Sequence, residues 1–207
     1  TLKQIVPLPV WKVLHKAYSG MMHLPDLPSA HLHPWRRASK AHLAGLKNIH
    51  SGKRAFIIGN GPSLKQTDLG RLKGEFTFGL NRIYLMFPEL GFSTTYFVCI
   101  NDLVIEQCVQ DISALSMPKF FSWHSHKFFP AMPSSASFIY TTYDNPAFAS
   151  DVRGRVWESA TVTYVALQIA FHMGFSQGIL VGVDHKTNVP GKANTTIVSQ
   201  GDDPNHF

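Results

Sequence analysis

Apolar positions along this chain change rhythm near residue 53. Before it they recur every three or four places, the spacing of an amphipathic helix; after it they come in short blocks separated by polar or small residues. In the front part, Trp11 to Met22 predicts a short helix, with Pro7 and Pro9 barring a helix before Val10. The stretch "HLPDLPSAHLHP" (His23–Pro34) predicts a loop. Trp35, Ala38, His42, Leu46 and Ile49 predict a second helix, broken at Ser51-Gly52. The later blocks read as strands: "AFIIG" from Ala55, "EFTFGLN" from Glu75, "TTYFVCIN" from Thr94, "KFFSW" from Lys119, "SFIYT" from Ser137, and a last buried strand "QGILVGVDH" from Gln177 to His185. Between them lie a short helix from Ser63 to Leu72 with Ser63 as N-cap, a helical Arg82–Leu90, a helix Asp102–Leu115, and a loop His124–Pro133. The clearest helix is Ser159–Gly174, where Val162, Val165, Ala166, Ile169, Ala170 and Met173 share a face and Gly174 suits the C-terminal stop.

Strands alternating with helices predict an α/β, Rossmann-like fold with a mostly parallel sheet and flanking helices, plus a helical N-terminal extension. The division expected is residues 1–52 for the extension and 53–207 for a nucleotide-binding transferase domain. Ligands of such sheets bind at the carboxyl ends of the strands. Four places qualify: Gly59–Ser63, Asn81, Asn101-Asp102, and Gly182 to His185. Each puts small or polar residues just after an apolar run.

The turn "GNGPS" (Gly59–Ser63) has the physics of an anion or nucleotide turn. Gly59 and Gly61 permit unusual backbone angles and close approach of a ligand. Pro62 fits a first helical turn, where its missing N–H is not needed, and the amides that follow point at whatever sits above. An ordinary tight turn weighs about equally. The turn is neither GxGxxG, since Leu64 follows Ser63, nor a P-loop, since no GK[ST] follows. Asn81 and Asn101 at successive strand ends suit hydrogen bonding to a base or ribose. Asp184 and His185 suit metal binding, ribose orientation or acid–base work, against a capping Asp and a solvent-facing His. Asp202, Asp203 and His206 offer oxygen and imidazole ligands, but no metal site is assigned. The pairs His31/His33 and His124/His126 read as surface residues, and Cys99 as buried and inert.

Composition narrows the class. The chain has 207 residues, 44% apolar and 15% charged, which is globular. Two cysteines without CxxC spacing favour a reducing compartment, and no stretch reaches the length of a membrane span. A cytoplasmic location is expected, peripheral at the inner membrane face. Its threonine start and polar end read as a fragment. The net charge of +6 sits in front: residues 1–54 hold nine Lys or Arg against one carboxylate, Asp26. Such a segment suits an anionic surface or is simply a solvated helical face; no nucleic acid is expected as a partner.

The ordered set "FIIGNGPSL", "FGLNRIYL", "YFVCINDLVIEQ", "VTYVALQIAFHMGF", "GILVGVDH" and "DDPNHF" resembles the MptE-like family, named for archaeal 6-hydroxymethylpterin diphosphokinase. The pattern is also similar to bacterial sialyltransferases that use CMP-sialic acid and to motility-associated flagellin glycosyltransferases. The resemblance implies a nucleotide site built from Asn60, Ser63, Asn81 and Asn101, with Ser159, Thr161, Gly182 and Asp184 lining it. It implies a histidine base for which His206 and His185 are candidates, or a residue past Phe207. The implied partners are a nucleotide or nucleotide-sugar donor and a glycan, glycoprotein or small-molecule acceptor. Glycosyl transfer from a CMP-type nonulosonate is the first expectation and requires no cofactor. An ATP-dependent diphosphokinase, which would need Mg²⁺, and a non-catalytic nucleotide-binding module are the alternatives.

Overall fold

The computed structural model describes residues 7–22, 26–143 and 147–184. Seven parallel strands form one curled sheet: β1 (Arg54–Ile58), β2 (Thr77–Leu80), β3 (Tyr96–Cys99), β4 (Lys119–Ser122), β5 (Ala136–Thr142), β6 (Arg155–Trp157) and β7 (Gln177–Val181). Their order is β6-β5-β4-β3-β2-β1-β7. The chain steps outward one strand at a time from β1 to β6, then returns across the sheet to lay β7 beside β1, with Ile58 opposite Val181. The direction of winding therefore reverses between β1 and β7, the place where an open parallel sheet leaves a crevice at its carboxyl ends.

Both faces of the sheet are covered, so alternate residues of each strand enter two separate cores. Ile57, Val98, Phe120 and Ile139 pack on one face, with α6 (Val162–His172) and Leu43 of α3 (Pro34–Gly45). Ile58, Phe97, Phe121 and Phe138 pack on the other, under α5 (Asp102–Ala114) and the short turns after β1 and β2. That is why the strands read as near-continuous apolar blocks. β7 departs from the expected buried strand: it is an edge, and Ile179 and Leu180 are 36% and 47% exposed among the described residues.

Four local expectations change. α1 runs Leu8–Met22, with Pro9 inside its first turn, where no amide partner is needed. A short α2, Leu27–Leu32, lies within the proline-rich stretch read as loop, with Pro28 at its start for the same reason. The helix after "GNGPS" is instead two 3-10 segments, Pro62–Gln66 and Leu69–Leu72, and the cap position belongs to Gly61, not Ser63. Within the stretch read as loop after β4, Trp123–Phe128 is a further 3-10 segment. β6 itself had no strand signal: three residues carry no periodicity.

α3 closes an edge. β6 reaches only Tyr140–Thr142 of β5, which leaves the first half of β5, paired with β4 on its inner side, without a partner strand on its outer side. The buried Ser39 of α3 supplies its hydroxyl to the Phe138 amide at 2.9 Å, and His42 Nδ1 meets Ser137 Oγ at 2.7 Å. Arg36, 1% exposed, donates to the carbonyls of Arg153 and Gly154; burial lowers its pKa to about 10. An edge row of amides covered by side chains is protected from pairing with another chain. Among the described residues no helix is long and apolar enough to cross a membrane.

Candidate functional site

The loops after β1 and β7 lock onto each other. Gly59 N donates to Val181 O at 2.8 Å and Gly61 N to Gly182 O at 2.9 Å. Ser63 N donates to Asp184 Oδ2 at 2.9 Å, and Leu64 N to Gly61 O at 3.1 Å. The amides expected to cradle an anion are therefore engaged within the protein. The glycines are also required for a different reason than the one the sequence suggested. Gly61 has φ −72°, open to any residue, and Gly59 shows no left-handed angle. What each lacks is room: a Cβ on Gly59 would meet the Gly182 carbonyl, and one on Gly61 would meet the Asp184 carboxylate. Gly182 is the left-handed residue of the pair, with φ 65°.

Beside these loops lies a cavity of about 210 Å³. Gly59, Asn60, Gly61, Asn81, Gly182 and Asp184 line it, and so does the start of α6, Thr161 to Thr163. The sequence-predicted residues Asn60, Asn81, Thr161 and Asp184 thus converge. Asn60 Oδ1 and Asn81 Oδ1 are sealed from solvent and have no hydrogen-bond partner. Asn81 is held in the left-handed region at φ 50°, a conformation asparagine tolerates and most residues do not. The helix that aims its amino end into this cavity is α6, not the turn after β1. Its cap is Thr161, whose hydroxyl accepts from Thr163 N at 3.3 Å. Gly174, at φ 87°, ends it as expected.

Other predicted residues take different places. Ser63 does not line the cavity; its amide fixes Asp184. Asn101 caps α5, its Oδ1 accepting from Leu103 N and Val104 N, and lines a neighbouring cavity of about 200 Å³ together with Asn81 and Thr161. Ser159 lies just outside, on the turn Glu158–Thr161. Thr161 N closes that turn onto Glu158 O at 2.9 Å, with Ser159 at φ 44° and Ala160 at φ 62°. Two adjacent left-handed residues, neither of them glycine or asparagine, mark local strain. The candidates His185 and His206 lie outside the described residues.

A third, larger cavity of about 610 Å³ continues the crevice over the ends of β3 to β6. It contains the residue sequence reasoning missed. Glu158 is 2% exposed and follows β6 directly; the strand-end rule would have selected it had the three-residue strand been recognised. The Glu158 carboxylate beside Tyr143, as hydrogen-bond acceptor first, then burial and the carboxylate's charge, push the Tyr143 phenol up to about 12. His124 lines the same cavity, its Nε2 at 3.0 Å from Thr141 O, and His126 stacks on Trp123 at 3.9 Å, so this pair is packed rather than free at the surface. Cys99 is fully buried as expected, its thiol pushed up to about 12 chiefly by burial.

A family model described as 6-hydroxymethylpterin diphosphokinase MptE-like matches residues 31–189, which takes in α3 and every described strand. No curated protein matches. Among solved structures, the chain is similar to the MAf glycosyltransferase from Magnetospirillum magneticum AMB-1, with 16% identity and a TM-score of 0.47, over 79% of this chain and 30% of that one. The seven-stranded parallel sheet with its crevice between β1 and β7 is thus the setting of the matched segment, and the chain belongs to the 6-hydroxymethylpterin diphosphokinase MptE-like family.

Proposed function

We propose that the crevice binds a cytidine nucleotide and that the protein is a transferase moving a glycosyl group, of the nonulosonate type, from a CMP-linked donor to a surface or flagellar acceptor. The observation that carries this is the pair of buried, unpartnered amide oxygens, Asn60 Oδ1 and Asn81 Oδ1, on one small cavity. A buried acceptor without a partner costs about 1–3 kcal/mol, and an amine or hydroxyl of a nucleoside removes that cost. The start of α6 supplies the positive end of a helix of eleven residues for a phosphate. No Lys or Arg lines the three cavities described, which suits a single phosphate better than a chain of them. α1 leaves Val10, Val13, Leu14, Tyr18 and Met21 exposed at helical spacing in the basic front segment, which suits a peripheral position on an anionic membrane.

The family's description favours a second reading, transfer of pyrophosphate from ATP to a pterin. That chemistry needs Mg²⁺. Among the described residues no three His, Cys, Asp or Glu side chains converge as a metal site, so no step through a metal is derived.

A thermal-shift series with CMP, CDP, UDP, GDP and ATP, with and without Mg²⁺, separates the two. CMP at 100 times its dissociation constant adds roughly 2.7 kcal/mol. Asn60→Ala abolishes that gain without lowering the unliganded melting temperature, because its Oδ1 has no partner to lose and the cost of burying it is relieved. Stabilisation by ATP with Mg²⁺ alone overturns the glycosyl reading.

A further inference from the structure

The 610 Å³ chamber and the nucleotide cavity have opposite chemistry. The nucleotide cavity presents amides and hydroxyls, and its one carboxylate, Asp184, is tied to Ser63 N. The chamber is lined by three carboxylates, Asp26, Asp102 and Glu158. Asp102 is already satisfied: Ser125 Oγ donates to it at 2.6 Å, and Lys127 Nζ lies 3.4 Å away. Glu158 is not. Its Oε2 is sealed from solvent with no hydrogen-bond partner; the Tyr143 phenol beside the carboxylate leaves that oxygen unserved. Arg155, three residues before Glu158 at the start of β6, directs its Nε to Thr142 Oγ1 at 2.8 Å and lies over Trp157. The chamber floor is hydroxylic, with Ser122 Oγ and Thr141 Oγ1 2.9 Å apart. The intermediate cavity joins the two ends, sharing Asn81 and Thr161 with one, and Asn101 and Glu158 with the other.

A buried carboxylate lacking a donor asks for an O–H or N–H group, and repels a carboxylate or phosphate. The acidic sugar and phosphate of the proposed donor are therefore disfavoured at this end. We propose that the chamber is the acceptor subsite, and that Glu158 holds there a non-acidic sugar by accepting a hydrogen bond from its hydroxyl or ammonium group. The word acceptor rests on the glycosyl-transfer reading; the sugar site itself does not.

The test is saturation-transfer NMR on the 207-residue chain with D-galactose and D-glucosamine as probes and N-acetylneuraminate as the acidic control. Both neutral and cationic sugars bind saturably, and N-acetylneuraminate does not compete with glucosamine. Glu158→Gln weakens glucosamine roughly tenfold, the loss of one hydrogen bond to a charged group. Circular dichroism verifies each variant's fold. If Glu158→Gln does not fold, Glu158→Asp, which retracts the carboxylate, takes its place with the same expected loss. Sugar binding that is indifferent to Glu158, competition by N-acetylneuraminate, or absence of sugar binding overturns the inference. A parallel CMP titration keeps the two claims apart: CMP binding without sugar binding refutes this subsite alone, and sugar binding without CMP binding refutes the nucleotide reading alone.

Discussion

Gly59→Ala tests why the β1 turn has the sequence it has. A Cβ there would lie inside contact distance of Gly182 O, 3.0 Å from its carbonyl carbon and 3.3 Å from Val183 Cγ2. The obstructing oxygen and carbon belong to backbone, so they cannot rotate away; the ends of β1 and β7 must part by on the order of 1 Å. Two bonds span that gap, Gly59 N to Val181 O at 2.8 Å and Gly61 N to Gly182 O at 2.9 Å, and neither survives such a stretch. About 1 kcal/mol for each bond, added to about 1–3 kcal/mol for overpacking, gives a loss of about 3–5 kcal/mol. With a urea slope of about 2 kcal/mol/M the unfolding midpoint falls by roughly 1.5–2.5 M. Gly61→Ala is the control. Its new Cβ meets the Asp184 carboxylate, which swings aside and gives up one hydrogen bond from Ser63 N, and also Asp184 Cβ at 2.9 Å, which asks the loop after β7 to give by a few tenths of an ångström; the loss is about 1–2 kcal/mol. Urea titrations followed by circular dichroism measure both. Equal losses for the two variants, or a neutral Gly59→Ala, refute the claim that close approach of the two loops is what requires glycine.

Ser39→Ala leaves the buried Phe138 amide, on the β5 edge that α3 covers, without its acceptor and lowers stability by about 1–3 kcal/mol in the same assay. Ala160→Gly reverses the usual penalty for glycine, because φ 62° is strained for alanine; it raises the melting temperature in calorimetry or leaves it unchanged. Asp151, hydrogen-bonded to Arg153 and paired with Lys47, has its pKa held well below the usual carboxylate range. A depressed folded pKa means a stabilisation present above the unfolded value of about 3.9 and lost as pH falls below it. Asp151→Asn therefore destabilises at pH 7, and its difference from the parent shrinks below about pH 4 in urea titrations run across pH.

The parts of the fold that could be read from the chain are those where burial on two faces writes an apolar block and a small or polar residue ends it: β1, β2, β3 and the helix α6 with its stop at Gly174. The same rule located Asn60, Asn81 and Gly182. It failed where an element is too short to carry a period. β6 has three residues, so Glu158, which stands at its end as Asn81 stands at the end of β2, went unseen. It also could not tell which strand β7 joins, because adjacency across a sheet leaves no mark on local pattern. That adjacency decides the meaning of "GNGPS". The turn's glycines accommodate the loop after β7, and its amides bond that loop, so the proposed phosphate position moves to the start of α6, while Asn60 is the turn's polar side chain on the cavity.

The central claim, a nucleotide in the crevice between β1 and β7, is tested most directly by mapping amide chemical shifts of the ¹⁵N-labelled chain during a CMP titration. Saturable shifts are expected, confined to Gly59–Gly61, Asn81, Thr161–Thr163 and Gly182–Asp184, the residues around the cavity lined by the two asparagines whose Oδ1 atoms lack partners. No saturable shift, or shifts clustered elsewhere on the chain, would contradict it.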